Sequence, residues 1–179
     1  RKFVAMQLRE KTIPIEQFLA DIERANLPRV EGTAVYLNRS LKRAPYALIH
    51  TFEHFKTVHR NLVFLAVEFS YLPKVSAAKR LEIKQLSPNS HQIILHYGYL
   101  EQPNVPRDIQ GLDLDGLRLD VDQVSFMIEK QSLYATEFPG MALWREKIFT
   151  LISRNEISAT DYFQLPKERV LEIGMQIAI

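Results

Sequence analysis

The segment Asn61-Leu-Val-Phe-Leu-Ala-Val-Glu-Phe69 constrains the fold more than any other stretch of the chain. It is apolar at successive positions rather than alternate ones, so a strand made of it has no face to show to water. Such strands lie inside parallel sheets covered by helices on both sides. Ahead of it, Gly32 releases Thr33-Ala-Val-Tyr-Leu37, a short β-branched and aromatic run suited to a second buried strand. Between the two, Pro45 opens a helix that runs to Lys56, with Leu48, Ile49 and Phe52 as its apolar side. Strand, helix, strand in that order predicts a parallel βαβ unit with a right-handed crossover.

The flanking segments extend this unit. A helix is expected from Thr12, as N-cap, through Pro14 in the first turn to Asn26, with Ile15, Phe18, Leu19 and Ile22 on one stripe and Pro28 as its stop. Residues Arg80 to Leu86 alternate polar and apolar, Ser87-Pro-Asn-Ser90 turns, and His91 to Leu100 returns, which predicts an antiparallel hairpin. Pro103 and Pro106 lead into a short helix around Arg107 to Leu112, followed by a strand over Gln123 to Gln131. A long amphipathic helix is expected from Met141 to Asn155, burying Leu143, Trp144, Ile148, Leu151 and Ile152. Arg169 to Ile179 is apolar at alternate positions and suits a strand that closes the sheet. The expected fold class is α/β, a single domain whose mixed sheet of about five to six strands combines the βαβ unit with the hairpin and packs against helices. Tyr36, Val63, Leu65, Val67, Ile94 and Trp144 are the expected core.

Composition excludes several classes. The chain has 179 residues, about one domain's worth, and no cysteine, so disulfides, thiolate metal sites and cysteine nucleophiles are absent. Its longest charge-free apolar run, Leu62 to Val67, falls far short of the ~20 residues of a membrane span. Arg1-Lys2 leads into a mixed-charge stretch rather than the apolar one of a signal peptide. The net charge of +2 hides an asymmetry: residues 1–89 hold 15 Lys/Arg against 8 Asp/Glu, and residues 90–179 hold 8 against 13. No basic cluster is interleaved with the aromatics that single-stranded nucleic acid requires, so a nucleic-acid partner is not expected.

Few residues suggest chemistry. His50 and His54 stand four apart on the predicted helix with His59 beyond, a spacing at which two imidazoles can share a metal. The zinc-protease arrangement needs Glu directly after the first histidine, where Thr51 stands, and Glu53 is out of register. Half-buried structural histidines are the plainer reading. Asp113, Asp115, Asp120 and Asp122 around Gly116 evoke a calcium loop, but Gly111 occupies the first ligand position and the closing Glu is an Asp. Leu112, Leu114, Leu117 and Leu119 alternate with these acids, as in an amphipathic loop lying on a core. The six glycines form neither GxGxxG nor GxxxxGK[ST], and no GxSxG is present. Glu137, Glu146 and Asp161 would have to meet in space to act as acid and base. No catalytic residue, metal ligand or cofactor is expected.

Several stretches in order carry a family resemblance. Gly32-Thr-Ala-Val-Tyr-Leu37, Pro45-Tyr-Ala-Leu-Ile-His50 and His54 through His59 resemble the start of the C-terminal cytoplasmic domain of Kup-type potassium uptake permeases. Tyr97-Gly-Tyr-Leu-Glu101 with Pro103 and Pro106 resembles its Tyr-Gly-Phe-Met-Glu-x-Pro-x-Val-Pro segment, and Ser125-Phe-Met-Ile-Glu-Lys130 a strand of that domain. Met141-Ala-Leu-Trp-Arg-Glu146, Arg154-Asn155 and Ala159-Thr-Asp-Tyr-Phe-Gln-Leu-Pro166 resemble the next segment, and Arg169 to Ile179 the closing one. Glu53, Phe55, Arg60 and Ala178 depart from the family pattern and bear on surface charge rather than fold.

The resemblance implies a proton-coupled potassium importer whose membrane helices precede this domain and lie outside this chain. The whole chain, 1–179, would then be one soluble domain on the cytoplasmic face of the bacterial inner membrane. Residues 1–11 would be the membrane-proximal segment and 12–179 the globular part. Potassium and protons would be handled by the missing helices, and the domain would regulate or dimerise. The Ile173–Ile179 strand would be an exposed edge suited to pairing, and some relatives are thought to read cyclic di-AMP. Arg1, Lys2, Arg9 and Lys11 would face anionic lipid, with Arg39, Lys42 and Arg43 extending that basic face. The rival classes are a stand-alone metal-dependent enzyme using His50, His54 and an acid, and a nucleotide-sensing module.

Overall fold

A computed structural model describes residues 13–134 and 158–178 of the chain. In chain order these form α1 (Ile15–Ala25), β1 (Arg29–Leu37), α2 (Tyr46–Phe55), β2 (Val58–Ser70), a 3-10 turn (Ala77–Lys79), β3 (Leu81–Ser87), β4 (Ser90–Gly98) and α3 (Val105–Ile109). There follow β5 (Asp113–Leu114), β6 (Leu117–Arg118), β7 (Val124–Tyr134), α4 (Ala159–Tyr162), a second 3-10 turn (Lys167–Arg169) and β8 (Val170–Ala178). The six long strands make one sheet in the order β3-β4-β2-β1-β7-β8, and β5 and β6 make a separate hairpin. In the large sheet β3 runs antiparallel to β4, and the other described pairings are parallel.

The all-apolar run forms the middle of β2, and Leu62 to Ala66 are buried on both faces, as a strand without polar alternation must be. Side-chain parity sorts the core into two layers. Val35, Val63, Leu65, Ile93, Leu95, Tyr97, Phe126 and Ile128 face α3, the β5–β6 hairpin and the Leu165 turn. Ala34, Tyr36, Leu62, Phe64 and Met127 face α1 and α2. The connection from β1 to β2 crosses the second face and that from β4 to β7 crosses the first, in opposite directions along the sheet, as right-handed crossovers require. The described residues form a three-layer α/β/α sandwich around the six-stranded sheet, and the βαβ unit and the antiparallel hairpin stand where they were expected.

The local stops follow from backbone chemistry. α1 buries Ile15, Phe18, Leu19 and Ile22 and ends at Asn26, whose φ of 44° is the left-handed turn that asparagine tolerates. α2 follows Pro45 and ends at Lys56, also left-handed with φ 51°. Some expectations need correction. Pro14 is the N-cap of α1 rather than a residue of its first turn, because it is extended (ψ 138°) and only its carbonyl joins the helix, accepting from Phe18 N–H. The short helix begins at Val105, two residues before Arg107, since Asn104 caps it through Arg107 N–H. Ile94 is half-buried, because Leu95 and Tyr97 take the fully buried parity of β4 together with Ile93; Val67 is half-buried as well, at the end of β2 that outruns β1. Thr12, the segment 1–11, Trp144 and the Met141–Asn155 helix, and Glu137 and Glu146 lie outside the described residues.

Candidate functional site

β2 and β4 outrun β1. Leu37, the last residue of β1, pairs with Leu65, whereas β2 continues to Ser70 opposite Gly98. The loops that leave these two strands, residues 71–80 and 99–104, are joined by a polar cluster centred on Arg80 and Glu101. Arg80 donates from Nη1 to the His96 carbonyl (2.9 Å), from Nη2 to the Val75 carbonyl (3.3 Å), and pairs with Oε1 of Glu101. Its guanidinium lies 4.5 Å from the centre of the Tyr97 ring, a cation–π contact. The second oxygen of Glu101 accepts the backbone N–H of Gly98 (2.6 Å) and of Val75 (3.0 Å). The Arg80 hydrogen bond, seconded by those two amides, pushes the Glu101 carboxyl down to about 2.

Tyr97 extends the cluster inward. Its hydroxyl donates to Oδ2 of Asp108 (2.6 Å) and accepts from Asn104 N–H (3.2 Å). Burial, with the Asp108 bond behind it, pushes the Tyr97 hydroxyl well above its ordinary value. Burial alone would raise Asp108, but the bonds from Arg107 and Tyr97 outweigh it and hold that carboxyl below its usual range. Every charge here is answered, and no nucleophile or open ligand position stands among them. The arrangement can clamp two loops; it has no group left over for chemistry.

Among the described residues the sequence-derived candidates do not assemble into a centre. His50 and His54 are neighbours on α2 with ring centres 4.2 Å apart, while half-buried His59 sits on β2, where burial lowers its pKa. Among the described residues no three His, Asp or Glu side chains converge as a metal would need. The aspartates shape turns: Asp113 accepts Gly116 N–H (2.7 Å) across a hairpin whose corner residues, Asp115 and Gly116, have φ of 53° and 93°. Asp120 accepts Asp122 N–H and bonds Gln110, and Leu114 and Leu119 beside them are buried. Asp161 binds Lys167 (2.9 Å) and Ser158, closing a shallow polar pocket that Thr160, Val170 and Glu172 complete.

Two features went unread in the sequence. His91 is buried on β4 with Nε2 3.3 Å from Asp115 and Nδ1 unpartnered; its parity with Ile93 and Leu95 was the available signal. The Arg80–Glu101–Tyr97 cluster gave no local pattern, because its members meet only after the hairpin forms. The N-terminus of α2 lies where a phosphate would bind if β1 led to a nucleotide site. Its Ala47 N–H donates instead to Oε1 of Glu129 on β7 (3.2 Å), so a protein carboxylate already fills that place. The chain reaches the sheet beside the same loop: Ile15 N–H donates to the Lys42 carbonyl and Ala44 N–H to the Ile13 carbonyl, and Pro14 bridges to Arg43.

The fold is an α/β sandwich on a mixed sheet, and its most connected polar cluster is a loop clamp; among the described residues no helix is long and apolar enough to cross a membrane. Residues 31–179 match the family described as the K+ potassium transporter C-terminal domain, and the chain belongs to that family. It is 36% identical over 179 residues to a protein of Chromobacterium violaceum named probable potassium transport system protein Kup 2, covering all of this chain and 29% of that protein. It is 38% identical over 179 residues to a probable potassium transport system protein Kup of Erythrobacter litoralis, again all of this chain and 29% of the relative. The corresponding protein of Nitrosomonas eutropha is 37% identical over 180 residues, with 28% of it covered. The chain therefore spans less than a third of the length of these relatives. No solved structure matches it.

Proposed function

We propose that this chain is the cytoplasmic C-terminal domain of a proton-coupled potassium uptake transporter, that it regulates or dimerises the transporter, and that by itself it transports and catalyses nothing. The observation that carries the reading is the match along the whole chain to under a third of proteins named for potassium transport, within a family described as a transporter's C-terminal domain. The clamp of Arg80, Glu101 and Tyr97 supports it, since it fixes loops without offering a reactive group. In cells lacking their own potassium uptake, the full-length protein restores growth at low potassium and residues 1–179 alone do not. Growth from residues 1–179, or none from the full-length protein, overturns the reading; zinc bound stoichiometrically by the purified chain would favour the His50–His54 enzyme instead.

A dimerising role is favoured by β8, a nine-residue strand that among the described residues pairs with β7 alone and leaves Leu171 exposed. Light scattering of the purified chain reads it directly: a concentration-dependent dimer supports pairing, and a monomer throughout opposes it. Cyclic di-AMP as a regulator is read by thermal shift, where a rise in Tm supports a nucleotide site and an unchanged Tm opposes it.

A further inference from the structure

Six large apolar side chains stand in water at the end of the sheet where β2 and β4 finish. Phe69 ends the apolar part of β2, Tyr71 and Leu72 follow it, Tyr99 and Leu100 follow β4, and Tyr162 closes α4. Tyr71 is fully exposed, Leu100 68% and Tyr99 61%. The backbone binds them into one surface. Tyr99 N–H donates to the Leu72 carbonyl (3.0 Å), Leu100 N–H to the Pro73 carbonyl (3.2 Å), and the Phe69 and Tyr162 rings lie 6.3 Å apart. Beneath, Glu101 holds Gly98 and Val75 while Arg80 holds Val75 and His96, so both loops are pinned with their apolar residues outward. A slack loop would turn such residues inward; this one is prevented from doing so.

Five exposed cations border this surface. Lys74 and Lys79 lie on the loop after β2, and Arg39, Lys42 and Arg43 on the loop after β1, all exposed. None of the five has an ion-pair partner among the described residues. Of the acids nearby, Glu101 pairs with Arg80 and Asp161 with Lys167, while Glu68 and Glu82 flank His96. The chain also comes into the fold at this end, where Ile13 and Pro14 lie against Lys42 to Ala44. Phe55, another exposed aromatic at 72%, stands at the far end of α2 and so at the opposite end of the sheet.

We propose that this end of the sheet is a membrane-docking platform. Tyr71, Leu72, Tyr99 and Leu100 enter the interfacial layer of the bilayer, and Lys74, Lys79 and the Arg39–Arg43 loop meet anionic headgroups. Tyrosine suits that layer because its ring is apolar and its hydroxyl wet, and basic residues beside it are drawn to anionic lipid. The choice of a bilayer rests on the transporter reading: a domain tethered to membrane helices through its N-terminal side presents to the membrane the end at which its chain comes in. The apolar tips and the unpaired cations at that same end supply the chemistry.

The test is co-sedimentation of the 179-residue chain with vesicles of phosphatidylcholine, with and without phosphatidylglycerol, at low and at physiological salt. The wild type binds the anionic vesicles at low salt. Tyr71→Ala with Leu72→Ser, and separately Lys74→Ala with Lys79→Ala, weaken that binding at least tenfold, whereas Phe55→Ser leaves it unchanged. All these side chains are exposed, and circular dichroism confirms that the variants fold. No vesicle binding by the wild type, or equal binding by the platform variants, overturns the proposal; so does a platform variant that changes only the oligomeric state, which would assign the surface to a second copy. Binding is read without transport, so its failure leaves the transporter reading to the growth assay.

Discussion

Gly98 and Pro73 touch so closely that a Cβ at position 98 would stand 2.3 Å from the Pro73 carbonyl oxygen and 2.4 Å from its carbon. Both are backbone atoms, so no side chain can swing aside to make room. The contact lets the loop after β2 lie across the end of β4, where Glu101 and Arg80 fasten it.

Gly98→Ala must therefore displace the loop. Overpacking of this kind costs about 1–3 kcal/mol. Urea unfolding reads it as a lower midpoint with unchanged slope; a loss under ~0.5 kcal/mol, the scale of an ordinary surface substitution, would mean the loop is not seated on Gly98.

Glu101 sets a pH dependence. Its carboxyl is held at about 2, mainly by the hydrogen bond from Arg80, against an ordinary value of 4.5. A depressed carboxyl contributes stability that is complete above its unfolded pKa and is lost as pH falls through the folded one. The stability gap between wild type and Glu101→Gln is accordingly constant above about pH 5.5 and closes between about 4.5 and 2. Urea midpoints taken across that range check it; a gap that stays constant down to pH 2 would show that the carboxylate is not what fastens the loop.

Much of the fold could be read from residue order, and the reasons are physical. Leu62 to Ala66 allow no wet face, so an inner parallel strand was legible without any partner. Thr33 to Leu37 and the Pro45 helix completed a unit whose handedness is nearly fixed. Where neighbouring positions are equally apolar the signal fails: Gln92-Ile-Ile-Leu95 does not say which isoleucine faces inward, and Ile94, the one expected, is half-buried while Ile93 is fully buried. His50 and His54 were readable as neighbours because helix spacing guarantees it, but what converges on them depends on other elements. The loop clamp was unreadable for the same reason: Arg80, Tyr97, Glu101 and Asp108 lie in two elements and two loops, and the β3–β4 register and the α3 cap bring them together.

Leu65 tests the sheet order. It is fully buried between β1 and β4 and belongs to the layer under α3. Leu65→Ala loses about 2–5 kcal/mol, the range for a buried leucine whose site cannot collapse. A loss below about 1 kcal/mol would place the strand at the periphery.

Tyr97→Phe removes one oxygen and keeps the ring under Arg80. Asp108 and the Asn104 N–H then lose a partner in a half-buried site, at a cost of about 1–3 kcal/mol. Thermal unfolding checks it, with Asp108→Asn as the companion: because both act on one bond, the double variant loses less than the two single losses combined. Full additivity would show that the hydroxyl and the carboxylate act independently.

The initial rate of potassium uptake, measured with a rubidium tracer in cells lacking their own uptake systems, decides whether this chain acts as a domain of a potassium transporter. The full-length protein is compared with the same protein cut before this domain and with residues 1–179 alone. Uptake is expected from the full-length protein, with a changed rate or potassium dependence in the truncated one and none from residues 1–179. Identical uptake with and without the domain, or uptake by residues 1–179 alone, would contradict it.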